Sequence, residues 1–130
     1  MILVDSSVWV DYFNGWGTPQ TETLDVLLGT QPLLVGDLIL AEVLQGFHLD
    51  SEFEQALQAF QHFEQVSLLS PILAVQSARN YRALRKQGIT VRKTIDCMIA
   101  TYCITTGCAL LHSDADFTPF EEHLGLAVWR

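Results

Sequence analysis

Short apolar runs alternate with longer helical patterns along this chain, and that alternation limits its fold more than any other feature. Strands that alternate with helices usually pair in parallel, and helices then cover both faces of the sheet. We therefore expect an α/β fold built on a small, mostly parallel sheet. The predicted strands are the runs ILVD (2–5), PLLVG (32–36), VSLL (66–69), CALLHS (108–113) and LAVW (126–129).

Small polar residues mark the predicted helix N-termini, and three of them precede a proline, which costs nothing in the first helical turn. The segment TPFE (118–121) also supplies the glutamate of a capping box. Gly88 and Gly107 follow two helical patterns and predict their C-termini. The predicted N-caps are Thr18, Asp37, Ser70, Thr94 and Thr118.

The composition is that of a globular protein, since 49% of the residues are hydrophobic and only 17% are charged. No repeats or linkers interrupt the chain, and we expect residues 1–130 to form a single domain. No apolar run approaches the roughly 20 residues that span a bilayer, and the N-terminus lacks the basic lead of a signal peptide. We therefore expect a cytoplasmic protein. Its three cysteines have no metal-type spacing and predict reduced, buried thiols.

Carboxylates occupy unusual places in this pattern. Asp5 ends the first predicted strand, and Asp114 and Asp116 follow the strand CALLH. Glu42 lies inside the apolar segment LILAEVL, and Asp96 is the only charge in TIDCMIATYCITTG. Because ligands of open α/β sheets bind beyond the carboxyl ends of the strands, we expect these acids to converge at that edge.

Convergence of several carboxylates predicts a metal ion. Ionised carboxylates in one pocket repel one another, and a buried carboxylate is costly unless it is paired, hydrogen-bonded or bound to metal. Oxygen ligands without His or Cys suit Mg²⁺ or Mn²⁺ better than zinc. Such an ion supports phosphodiester hydrolysis, because it activates water and offsets the charge that builds on the phosphate.

Each acid taken singly also has an ordinary structural interpretation. Asp96 in a first helical turn is favoured by the helix dipole, and Asp5 is consistent with a turn residue. Glu42 is consistent with a lone polar residue at a helix edge. Asp114 is consistent with a helix cap, although Thr118 is predicted to cap the following helix already. The joint arrangement, not any single acid, favours the metal site.

The net charge of −8 argues against a general nucleic-acid-binding surface, but the charges are unevenly distributed along the chain. Residues 1–78 contain ten acids and no Lys or Arg, whereas six of the seven basic residues fall between Arg79 and Lys93. This segment is consistent with a solvated helix face or with a short strip that contacts a phosphate backbone beside the metal. The candidate backbone contacts are Arg82, Lys86, Arg92 and Lys93.

Four motifs together resemble a known family. ILVDSSVWVDYF, LILAEVLQGF, GITVRKTIDCMIATYC and LLHSDADF are similar, in this order, to the motifs of PIN-domain ribonucleases, above all the VapC-type toxins of prokaryotic toxin–antitoxin pairs. The resemblance implies a three-layer α/β/α sandwich and Mg²⁺- or Mn²⁺-dependent endonucleolytic cleavage of RNA. It also implies a homodimer that is inhibited by a VapB-like antitoxin, whose tail enters the active-site groove.

The resemblance further implies roles for individual residues. Glu42 matches a glutamate that completes the acidic pocket by orienting water or helping a second metal. Ser7 and Ser113 match small hydroxyl residues that support the site through hydrogen bonds. The metal-binding acids of the family match Asp5, Asp96, Asp114 and, as a further acid with a less defined role, Asp116.

Two other functions compete with a nuclease. One is a PIN-like metal-binding or scaffold domain without catalytic turnover, which differs from the nuclease in metal-dependent RNA cleavage. The other is a phosphatase or phosphotransferase with aspartate chemistry. The motif DSS after the first strand lacks the second aspartate that such phosphatases use, and no lysine follows CALLH as a receiver domain would require.

Overall fold

Four strands and seven α-helices follow one another in the computed structural model, which describes residues 1–130. A single 3-10 turn, Ala115–Phe117, precedes the last helix. No helix combines the length and the hydrophobicity needed to cross a membrane. The elements are β1 (Ile2–Val4), α1 (Ser6–Phe13), α2 (Pro19–Leu27), β2 (Leu33–Gly36), α3 (Asp37–Leu44), α4 (Asp50–Phe60), β3 (Glu64–Val66), α5 (Pro71–Lys86), α6 (Thr94–Thr106), β4 (Ala109–Leu111) and α7 (Thr118–Leu124).

The strands form one sheet in the order β3-β2-β1-β4, and every pairing is parallel. In the central strand β1, Ile2 lies opposite Leu33 on one side and Ala109 on the other. Every residue of β1 and β2 is buried, so helices cover both faces of the sheet. The predicted α/β architecture with a small parallel sheet between helical layers is confirmed.

Two of the five predicted strands differ from the structure. The run 126–129 contributes only one parallel bridge, between Leu110 and Val128, instead of a strand. The third strand is Glu64–Val66 and not the predicted 66–69. Beyond it, the Leu68 N–H donates to the carboxylate of Asp37 at 2.9 Å, so this part of the backbone leaves the ladder.

Leu68 also explains why a glycine ends β2. Its buried side chain lies directly against Gly36, and a Cβ on that glycine would overlap it. The close approach brings the chain after β3 over the end of β2. It therefore holds Asp37 and the start of α3 in place beside the sheet edge.

The predicted helix caps divide into two groups. Thr18 and Ser70 cap α2 and α5 as expected, accepting hydrogen bonds from the backbone N–H groups of Thr21 and Leu73. The other three predictions are wrong, because each of those residues is the first residue of its helix and the preceding residue is the N-cap, without a side-chain bond. The three are Asp37, Thr94 and Thr118.

The error at Thr118 has a clear cause. The 3-10 turn runs directly into α7, so the helix has no free N-terminus for Thr118 to cap. Asp114 caps that turn instead, since its side chain accepts from the Asp116 N–H at 2.9 Å. Glu121, expected in a capping box, instead accepts two hydrogen bonds from the Arg130 guanidinium.

Candidate active site

A polar cavity of about 380 Å³ opens beyond the carboxyl end of β1. Val10 is the one apolar residue that lines it, and Lys93 is the one basic residue. The acids that line it come from α1, α3, α6, the residue after β1 and the segment after β4, so residues 109 positions apart in sequence share one wall. They are Asp5, Asp11, Glu42, Asp96 and Asp114.

Asp5 is held at the junction of β1 and α1. Its N–H donates to the Leu111 carbonyl of β4 at 2.9 Å, which continues the sheet by one residue. Its Oδ2 accepts from the N–H and the hydroxyl of Ser7 at 3.0 and 2.6 Å, and so caps α1. Oδ1 is buried and has no hydrogen-bond partner. Burial raises the pKa of Asp5, although the bonds from Ser7 act in the opposite direction.

Asp96 is the second buried acid and lies in the first turn of α6, only 5% exposed. Its Oδ2 is also buried without a hydrogen-bond partner. Burial raises the pKa of Asp96 to about 7, and the negative charges of Asp5 and Asp114 add to the effect. The ionised form of Asp96, the one charged residue of its apolar segment, is therefore disfavoured without a cation nearby.

Helix α6 is anchored against α5 by polar contacts. The Asn80 side chain donates to the Thr101 hydroxyl at 2.9 Å, and the Cys97 thiol contacts the Ser77 carbonyl at 3.3 Å. All of these groups are buried, and a buried hydrogen-bonded pair fixes the register between two helices. These contacts between α5 and α6 fix the rotation of α6 about its axis, and hence the direction in which the Asp96 side chain points.

Asp114 lies three residues beyond the end of β4 and contributes both to the local backbone structure and to the site. Its N–H donates to Nδ1 of His112 at 3.1 Å, while its Oδ1 caps the 3-10 turn. Carboxylate oxygens of Asp96, Asp114 and Asp116 lie within 4.8 Å of one another. Asp96 and Asp114 thus belong to this cluster and also line the cavity with Asp5, whereas Asp116 belongs to the cluster alone.

Serine residues support the acids. The Ser6 hydroxyl donates to Glu42 at 3.0 Å, and burial nevertheless raises the pKa of this glutamate. The Ser7 hydroxyl accepts from the Ser113 N–H at 3.1 Å while it donates to Asp5, and this links the ends of β1 and β4. Ser113 therefore acts through its backbone N–H and not through its hydroxyl. No sequence pattern singles out Ser6, although the motif DSS contains it.

The two members of the basic segment nearest α6 reach the acids. Nζ of Lys93 lies 3.8 Å from Oδ2 of Asp114, and a guanidinium nitrogen of Arg92 lies 3.7 Å from Oδ1 of Asp116. Both basic side chains remain largely exposed. The other two candidates, Arg82 and Lys86, are exposed on α5 and do not line the cavity.

The donor set of this site fits a hard divalent cation. All of its candidate ligands are carboxylate oxygens, and two of these, Oδ1 of Asp5 and Oδ2 of Asp96, are buried without partners. Buried polar atoms are normally satisfied, so these two unpaired carboxylate oxygens in a polar cavity are well suited to ligate such a cation.

A model of the PIN domain family matches residues 2–122. The chain belongs to the PIN domain family. The VapC ribonuclease Mb1587 of Mycobacterium bovis is 32% identical over 119 residues, which are 90% of this chain and 89% of that protein. The family resemblance inferred from the four motifs is confirmed.

Solved structures share the fold at low sequence identity. VapBC2 from Rickettsia felis, bound to a DNA fragment from its promoter, matches this PIN domain with a TM-score of 0.75 and 17% identity over 100% of both chains. VapC20 of Mycobacterium tuberculosis, a toxin that cleaves the sarcin–ricin loop, matches with a TM-score of 0.65 and 17% identity over 91% of this chain and 93% of its own. These similarities extend the PIN architecture over the whole chain.

Proposed function

We propose that residues 1–130 form a single PIN nuclease domain, a cytoplasmic metal-dependent endoribonuclease that serves as the toxin of a type II toxin–antitoxin pair. The observation that carries this proposal is the meeting of acids from distant segments in one cavity, with two buried oxygens left unpaired. The ribonuclease name of a relative at 32% identity supports RNA as the substrate. The metal-binding scaffold alternative would use the same acids, so RNA cleavage is the property that separates the two functions.

The proposed catalytic set is Asp5, Glu42, Asp96 and Asp114. Asp5, Asp96 and Asp114 would hold Mg²⁺ or Mn²⁺, with Asp116 as a further ligand from the adjoining turn. When bound, the ion supplies Lewis acidity toward water and the scissile phosphate. Burial raises the pKa of Glu42, which makes its carboxylate a stronger base, and Glu42 would orient the attacking water and accept its proton. Ser6 and Ser7 fix the carboxylates of Glu42 and Asp5 through the hydrogen bonds described above.

The proposal predicts metal-dependent cuts at discrete sites. Purified protein incubated with total cellular RNA should generate new 5′ ends in the presence of Mn²⁺ or Mg²⁺, and EDTA should abolish them. Mapping the ends by sequencing gives the substrate directly. RNA that stays intact in both metals, while Mn²⁺ binds to the protein, would favour the scaffold alternative.

An apolar groove beside the active site fits an antitoxin. It has a volume of about 360 Å³, and Val10 lines both the groove and the catalytic cavity. A helix with an apolar face in this groove would direct a basic tail toward the acids. The apolar residues that line the groove are Val10, Phe13, Val43, Phe47 and Leu49.

Expression of the chain in cells tests the partner. Growth arrest by the chain should be relieved when the product of a neighbouring gene is co-expressed. Leu49 is 58% exposed, so Leu49→Glu should leave the fold and the arrest intact but prevent the relief.

The expected homodimer stays a prediction, and the exposed apolar residues Ile72 and Val75 on α5 are the surface that it would cover.

The basic residues next to the acids should contribute to RNA binding. We expect the double variant Arg92→Gln/Lys93→Gln to bind a short RNA more weakly and to lower the slope of log K against log salt by about 1 to 2, because each phosphate contact releases counterions. The measurement uses Mn²⁺ and a Glu42→Gln background, which slows cleavage without removing a proposed metal ligand. Arg82→Gln/Lys86→Gln, with the same change of charge outside the cavity, is the matched control. Equal slopes in the two double variants would contradict the assignment.

A further inference from the structure

One basic side chain, that of Lys93, lines the acidic cavity. Lys93 is the N-cap residue of α6, so the turn that places Asp96 in the cavity also places the lysine at its rim. Every other charged side chain that lines the cavity is an acid. Lys93 is therefore the nearest positive charge that the chain itself supplies to the cavity.

The contact with Asp114 is specific to one oxygen. Oδ1 of Asp114 accepts the Asp116 N–H at 2.9 Å and is occupied by the cap. Oδ2 is the oxygen that faces Nζ of Lys93 at 3.8 Å. Oδ2 accepts no hydrogen bond, so it is the freer of the two oxygens for a divalent ion, which would then approach the same oxygen as the lysine.

The lysine is held loosely. A separation of 3.8 Å is an ion pair without a hydrogen bond, and 58% of the Lys93 side chain is exposed to water. A flexible ammonium with solvent beside it can move away at little cost. Nothing in this arrangement locks the pair.

We propose that Lys93 is an internal counterion, whose ammonium neutralises Asp114 in the metal-free protein and withdraws when a divalent ion binds to the same oxygen. This inference rests on the proposed function only in placing the ion at Asp114. The displaced ammonium stays on the same short turn at the cavity rim, where a substrate phosphate would meet it. Lys93 thus competes with the ion for Asp114 and, once displaced, becomes a contact for the phosphate.

The test is the affinity of the metal-stripped protein for MnCl₂, measured by isothermal titration calorimetry at pH 8 without RNA. Lys93→Gln should bind Mn²⁺ roughly three- to tenfold more tightly than the unmodified chain, the effect of one unit charge a few ångströms away in a solvent-exposed cavity. Lys93→Arg keeps the charge and should bind Mn²⁺ as the unmodified chain does. Arg79→Gln removes an equal charge from α5, outside the cavity, and should change the affinity little.

The direction of the change in Mn²⁺ affinity distinguishes this role from a structural one, because a damaged site would bind Mn²⁺ more weakly. Equal or weaker binding by Lys93→Gln, or an equal gain in Arg79→Gln, would overturn the inference. RNA is absent from the titration, so the two proposals can fail separately. Tighter Mn²⁺ binding by Lys93→Gln in a protein that cuts no RNA would support the counterion role and contradict the nuclease function.

Discussion

Asp96→Asn should reduce RNA cleavage by on the order of 10³-fold or more, and it should leave the metal-free protein folded. The asparagine has the same shape as the aspartate but no charge, so the ion loses a negatively charged ligand. The reaction would then lose the group that activates water. In metal-free protein above pH 7, where Asp96 is ionised, the same change removes a buried charge that repels Asp5 and Asp114, so thermal stability should rise.

Asp11→Asn is the matched control for this variant. Asp11 lines the same cavity, but its carboxylate is not a member of the cluster of Asp96, Asp114 and Asp116. Its cleavage rate should stay within a few-fold of the unmodified chain. Mn²⁺ affinity and cleavage are measured for both variants, with thermal unfolding as a check on the fold. Full cleavage by Asp96→Asn would refute the role assigned to that residue.

The convergence of the acids could be predicted from the sequence because it depends on topology. Asp5 and Asp114 follow strands that pair in parallel, so their Cα atoms must lie at the same edge of the sheet. Asp96 stands out for a different reason, since a lone charge in an apolar helix must be compensated. Both arguments use the order of elements and require no side-chain geometry.

Hydrogen-bond partners could not be predicted in the same way. Ser6 and Ser7 are neighbours in the same motif, yet one supports Glu42 and the other Asp5, because the first turn of α1 directs them differently. The sequence predicts Thr118 as the cap of the helix after β4, and this prediction makes a capping role for Asp114 look less necessary. In the structure Asp114 caps the turn with Oδ1, while its Oδ2 lies 3.8 Å from Nζ of Lys93, which lines the cavity. Such a division between two oxygens of one carboxylate leaves no trace in a sequence pattern.

Stability of the metal-free protein should fall as the pH rises from about 4 to above 7. Asp96 keeps its proton up to a pKa of about 7 in the folded chain, against 3.8 for an ordinary aspartate. Between these values the folded chain binds more protons than the unfolded chain, so raising the pH favours unfolding. The stabilisation is complete below about pH 3.8 and is lost through pH 7. It amounts to about 2 to 4 kcal/mol for a shift of this size.

Other groups near the cavity act in both directions, so the quantity to measure is a difference. Burial also raises the pKa values of Asp5 and Glu42, which adds to the fall, whereas burial lowers the pKa of His112 and opposes it. Urea unfolding in EDTA at several pH values, for the unmodified chain and for Asp96→Asn, isolates the contribution of Asp96. The gap between the two free energies of unfolding should widen from pH 4 to pH 8, and saturating Mn²⁺ should reverse its sign, since only the ionised carboxylate binds the ion. A gap that is constant with pH would mean that Asp96 is ionised throughout and that its burial carries no electrostatic cost.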